Sequence, residues 1–249
     1  MTNTRFCFSR RSLLASAAAV IVSSTTGAIA RTITRELPWE PGTARPPTVV
    51  RPGPWMFFTA DEAATIEAAV DRLIPPDERG VGGKDAGCAV FIDRQLAGPY
   101  GRDDGLYTKP PFMPGVPTQG YQGEATSGGR YRSALKALAD YVASEFGGKS
   151  FAQLAPADQD KVLSGLETGK IALKDVKSAD FFALLVQNTQ EGFFADPIYG
   201  GNRDMAGWRL IGFPGAHYDY RDWVERHNEP YPLPPVSIMG RSEWAAGSQ

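Results

Sequence analysis

The chain has 249 residues, 42% apolar and 22% charged, with a formal charge of −2, the profile of a soluble globular protein rather than a disordered or collagen-like one. Its 26 Lys+Arg against 28 Asp+Glu leave no basic footprint for a phosphate backbone, so nucleic acid is excluded as a partner. Twenty prolines and 27 glycines predict a packed core crossed by long loops.

Residues 1–30 differ from the rest. They hold Arg5, Arg10 and Arg11, no acidic residue, and an uncharged run from Ser12 to Ala30. That run is too short and too polar for a membrane span, which needs ~20 strongly apolar residues. Ser9-Arg10-Arg11-Ser12-Leu13-Leu14 is similar to the twin-arginine (Tat) export motif, and Ala28-Ile29-Ala30 has the small-x-small pattern of a cleavage site. An ordinary secretory signal, whose start is also basic, is the plainer alternative. The twin-arginine route carries proteins that have already folded, often around a cofactor. Either this chain binds such a cofactor, or it escorts a partner that does. Removing the leader takes one of the two cysteines, Cys7, with it.

Residues 31–56 read as an extended Pro-rich arm, because proline lacks the backbone donor that a helix or ladder needs. Its Trp39, Val49, Val50 and Trp55 predict that part of it lies on a surface, of its own domain or of another chain.

From residue 57 to 249 the pattern predicts a single, mostly α domain. Thr59-x-x-Glu62 is a capping box ahead of Ala63, Ile66, Val70, Leu73 and Ile74, spaced for one helix face and stopped by Pro75-Pro76. Asp85 is placed to cap a second helix carrying Val90, Phe91 and Leu96 and ending at Gly98-Pro99. A third runs from about Gly129 to Phe146, with Tyr131, Leu135, Leu138, Val142 and Phe146 on one stripe. Ala155-Pro156 opens a fourth through Val162, Leu163 and Leu166. Ser178 is placed to cap a fifth, from Phe181 to Phe194, whose apolar residues surround it nearly completely, as expected of the central core helix. Two segments, 98–128 and 192–215, read as long loops whose aromatic content argues against disorder. No strand pattern and no internal repeat is visible.

Residues suited to metal binding or catalysis are few. Past the leader there are one cysteine and two histidines, His217 and His227, without metal-ligand spacing, which excludes a structural zinc, c-type haem attachment and iron–sulfur ligation. Gly80-Val81-Gly82-Gly83-Lys84-Asp85 lacks the first glycine and the hydroxyl residue of a phosphate loop and follows a helix, so it reads as a turn. Neither a dinucleotide fingerprint nor a nucleophile elbow occurs. His217 or His227 could act as a base with Asp219 or Asp222; set among Tyr218, Tyr220, Arg221 and Trp223, both read more simply as polar members of an aromatic surface. Cys88 is either a buried small hydrophobe or half of an intermolecular disulfide.

The leader, Val70-Asp71-Arg72-Leu73-Ile74-Pro75, the run Phe91-Ile92-Asp93-Arg94-Gln95-Leu96-Ala97-Gly98-Pro99-Tyr100-Gly101, and above all the block from Glu191 to Asp204 with Trp208 and Gly212-Phe213-Pro214-Gly215-Ala216 resemble the small subunit (subunit 3, or gamma chain) of gluconate 2-dehydrogenase. The resemblance implies a subunit without a cofactor or catalytic site of its own, in a periplasmic complex attached to the inner membrane. Its implied partners are a large flavoprotein with FAD, a multihaem cytochrome c carrying haem c, and the Tat translocase. In that family the large subunit usually lacks a leader, so the small subunit, through Arg10 and Arg11, would carry it out. The arm and the two aromatic loops then become the expected partner interface, with Trp39, Trp55, Tyr121, Phe194, Tyr199, Asn202, Arg203 and Trp208 as its candidate residues and Cys88 as the candidate intersubunit disulfide. Gluconate, 2-ketogluconate, sorbitol, glucose and fructose all remain open as the substrate of the complex. A freestanding periplasmic enzyme using His217 or His227, and a purely structural subunit with no escort role, are the competing readings.

Overall fold

The structure, a computed structural model, describes residues 49–106, 109–217 and 219–240. The leader with Arg10 and Arg11, and Trp39 in the arm, lie outside the described residues. All the described residues belong to one compact unit spanning Glu40–Gln249.

The architecture is all-α, as the periodicity predicts. Six α-helices occur among the described residues: α1 (Ala60–Leu73), α2 (Cys88–Ala97), α3 (Ser127–Glu145), α4 (Pro156–Glu167), α5 (Ser178–Phe194) and α6 (Ala206–Ile211). No strand accompanies them there, only isolated bridges. The capping box forms as read: Thr59 Oγ1 accepts from the Glu62 amide at 3.3 Å while Glu62 accepts from the Thr59 amide at 2.8 Å. Along α1, Ala63, Ile66, Ala69 and Val70 are buried. On α3, Tyr131, Leu135, Leu138 and Val142 form the expected buried stripe, with Phe146 half-buried at its end. Helix α5 touches all five other helices, the central position its apolar surface predicts.

Three helix starts differ from the sequence reading. Asp85 does not cap α2. That helix follows Gly87, whose φ of +83° puts the chain in the left-handed region and whose Cβ position lies 2.7 Å from the Gly200 carbonyl, so the entry is set by backbone fit rather than by a side chain. Ser178 is already inside α5, which begins after Lys177 without a side-chain cap. Helix α3 begins two residues early, because Thr126 Oγ1 accepts the Gly129 amide at 3.1 Å and draws the first turn forward. The largest difference is in 192–215, expected as a loop. It folds into two 3-10 turns, Pro197–Tyr199 and Arg203–Met205, followed by α6, a helix of six residues and too short to register a period.

The described part of the arm lies on its own domain. The Val50 amide donates to the Ile198 carbonyl at 2.8 Å. Farther on, Asp93 of α2, with no exposed surface, takes the amides of Met56, Phe57 and Phe58, each at 2.9 Å, and pairs with Arg94. The buried Phe58 amide would otherwise be an unpaired donor, at a cost of about 1–3 kcal/mol. Arg132 of α3 closes the other side: its guanidinium donates to the Phe57 carbonyl and to Glu62 and stacks 4.0 Å over the Phe57 ring. Trp55 and Phe57 thereby pack half-buried against the core, and Phe58 is buried.

Candidate partner-binding surface

The segment after α5 is built to be rigid. At its centre Asn202 has no exposed surface; its Nδ2 donates to the Ala195 carbonyl at 2.8 Å and its Oδ1 accepts the Gly207 amide at 2.8 Å. Gly201 passes so close to α5 that a Cβ there would sit 2.1 Å from the Gly192 carbonyl. Trp208, 6% exposed, donates its indole N–H to the Phe194 carbonyl at 2.7 Å and stacks edge-on with Phe213 at 5.1 Å. The Arg203 amide donates to the Ala86 carbonyl, tying the segment to the turn before α2. Asn202, Asp204 and Met205 all hold positive φ, of 45°, 54° and 57°. For residues with a Cβ this stores of order 1 kcal/mol or more each, and it persists only because the surrounding bonds over-determine the path.

What this frame carries outward is apolar. Phe194 is 40% exposed, Tyr199 50% and Ile211 59%, and Leu210 and Phe213 join them. Phe194 and Tyr199 line an open recess with Phe91, Gln95, Glu191 and Ala195. Arg203, Asp204 and Arg209 are exposed along the same segment. Fixed, exposed aromatic and aliphatic side chains with charged neighbours have the anatomy of a protein-binding face.

The candidate interface residues thus divide. Phe194, Tyr199 and Arg203 are exposed. Asn202 and Trp208 are buried and act as the frame beneath them. Trp55 packs on the core edge-on to Phe58, at 6.4 Å. Tyr121 lies elsewhere, exposed under the Arg130 guanidinium at 4.1 Å. Cys88 has no exposed surface, and burial pushes its thiol up to about 12.

The histidines do not converge on a catalytic arrangement. The His217 ring lies against Tyr231 and Tyr220 and within 3.1 Å of the Pro234 carbonyl through Nε2, while Tyr220 donates its hydroxyl to the Gly215 carbonyl at 2.6 Å. Asp219 is engaged by Arg221, whose hydrogen bonds bring its carboxyl down to about 2. His227 is exposed. Among the described residues no group of three or more His, Cys, Asp or Glu side chains is placed to hold a metal ion, and no helix is long and apolar enough to cross a membrane.

Two polar groups escaped the sequence reading. One is Asp93, whose signal was present: it stands four residues after Ala89 and three before Leu96, on the apolar face of its own helix. The other is Asn188, which accepts from the buried Tyr131 hydroxyl at 2.9 Å and donates to Tyr100 and Glu191. The run of apolar neighbours in α5 concealed it.

Fold and surface together define a small all-α protein whose worked feature is a framed apolar face. Residues 60–215 match the family described as Gluconate 2-dehydrogenase subunit 3, and the chain belongs to that family. Comparison with curated proteins and with solved structures gave no match.

Proposed function

We propose that this chain is the non-catalytic small subunit of a periplasmic gluconate 2-dehydrogenase-type complex, and that it carries the FAD-bearing large subunit through the Tat translocase already folded. The observation that carries this reading is the pairing of Arg10-Arg11 with membership of the subunit 3 family. A leader suited to folded cargo on a small subunit makes sense if the cargo is the partner. The exposed face of Phe194, Tyr199, Leu210, Ile211 and Phe213 is where that partner docks, with the haem-bearing cytochrome c subunit linking the complex to the inner membrane. The rigid frame supports this role, since a face already held in shape loses little entropy on association.

The test is to replace both Arg10 and Arg11 by Lys and follow the flavoprotein subunit of the complex. Retention of that subunit in the cytoplasm, with FAD bound, is the expected result. Its arrival in the periplasm at the normal level would overturn the escort role.

A further inference from the structure

The stretch 49–58 is stitched to the domain by groups far apart in sequence. Asp93 lies 35 to 37 positions from the amides it accepts, and Arg132 lies 75 positions from the Phe57 carbonyl. Val50 bonds to Ile198. These partners sit on α2, on α3 and in the segment after α5, so the full set of bonds needs those elements packed together. When it is down, Phe58 is buried and Trp55 and Phe57 are half-covered. When it is up, Trp55-Met56-Phe57-Phe58 presents four consecutive apolar residues on the leader's side of the chain.

We propose that the strap couples the folded state of the helical domain to export, with Asp93 and Arg132 as its two latches. With the strap closed, the chain that follows the leader is packed on its own domain. An open one places an exposed apolar run behind a leader whose route accepts folded chains. The proposal rests on the export reading above.

The experiment uses the full-length precursor, with Asp93→Asn and Arg132→Gln made separately. Asp93→Asn removes the charge and turns a donor toward the amides. Arg132→Gln removes the outer latch from a side chain that is 42% exposed, so this variant keeps its fold if the first does not. Hydrogen exchange at the amides of Met56, Phe57 and Phe58 is expected to quicken roughly tenfold or more while the helical circular dichroism is kept. The processed fraction in the periplasm is expected to fall several-fold in the same variants. Fast strap exchange with undiminished export overturns the coupling. Undiminished protection of all three amides in both variants overturns the latch assignment. The Arg10→Lys, Arg11→Lys precursor run beside them separates the two ideas: if it too is exported normally, the export reading itself has failed, and the coupling with it.

Discussion

The Asn202 side-chain oxygen accepts the Gly207 amide at 2.8 Å while its amide nitrogen holds the Ala195 carbonyl at the end of α5, so one buried residue closes both ends of the path from Ala195 to Gly207. Replacing it with Ala leaves two backbone groups unpaired and puts a residue less tolerant of positive φ at 45°. Asn202→Ala should therefore lower unfolding free energy by about 2–3 kcal/mol. Urea denaturation followed by circular dichroism measures this; a change below ~0.5 kcal/mol would mean that the segment does not depend on Asn202.

The surface above that frame should respond differently. Phe194→Ser and Ile211→Ser alter exposed side chains, so thermal stability should stay within about 0.5 kcal/mol of the parent. Recovery of the flavoprotein subunit in a pull-down from cells expressing the whole complex should drop sharply. Undiminished recovery with both changes combined would place the docking face elsewhere.

Cys88 should be chemically silent in the native chain. It has no exposed surface and its thiol is pushed up to about 12, so at neutral pH iodoacetamide meets neither access nor thiolate. Labelling is expected to be slow when native and complete within minutes in urea. This burial favours packing over an intersubunit bridge, and a non-reducing gel of the complex should show separate bands. A covalent heterodimer that vanishes in Cys88→Ala would reverse that conclusion.

Stability should fall at both ends of the pH range. Burial raises the Glu62 carboxyl, but the Arg132 hydrogen bond and the Thr59 amide outweigh it, and the net position is below the ordinary carboxylate range. A depressed acid stabilises above its unfolded value and loses that contribution as pH falls, so the acid limb should begin near pH ~4. Cys88 is raised instead, so its contribution is complete below the ordinary thiol range and is lost as pH climbs toward about 12. Melting temperatures across the pH range should show both limbs, and Glu62→Gln should flatten the acid one; an unchanged acid limb in that variant would remove Glu62 from the explanation.

Where helices were long and apolar on one side, the sequence disclosed them. The stripe through Tyr131, Leu135, Leu138 and Val142, the Thr59–Glu62 box and the central place of α5 are all consequences of local spacing. Helix entries were legible at Thr59, through its capping box, and at Ala155-Pro156, through the proline, whereas at Gly87 the determinant is the Gly200 carbonyl across the fold. The candidate face was half legible. Aromatic residues in a long connection announced a surface, but composition could not separate Trp208, which turns inward to the Phe194 carbonyl, from Phe194 itself, which turns out. Asp93 showed itself only as a charge on an apolar helix face; that it and Arg132 hold the main chain of residues 56–58 depends on groups 35 to 75 positions away, which local spacing does not reveal.

Gly215 pairs in parallel with Val236, which is 1% exposed, and the Ile238 amide donates to Asp196 at 2.7 Å. The family match ends at residue 215. Similarity and physical integrity therefore stop at different places. A shortened chain ending where the likeness ends would lose the plug against Gly215 and the donor on Asp196, leaving the outward-facing segment without its lower edge. Val236 and Ile238 are the buttress of a face whose visible residues all lie upstream of them.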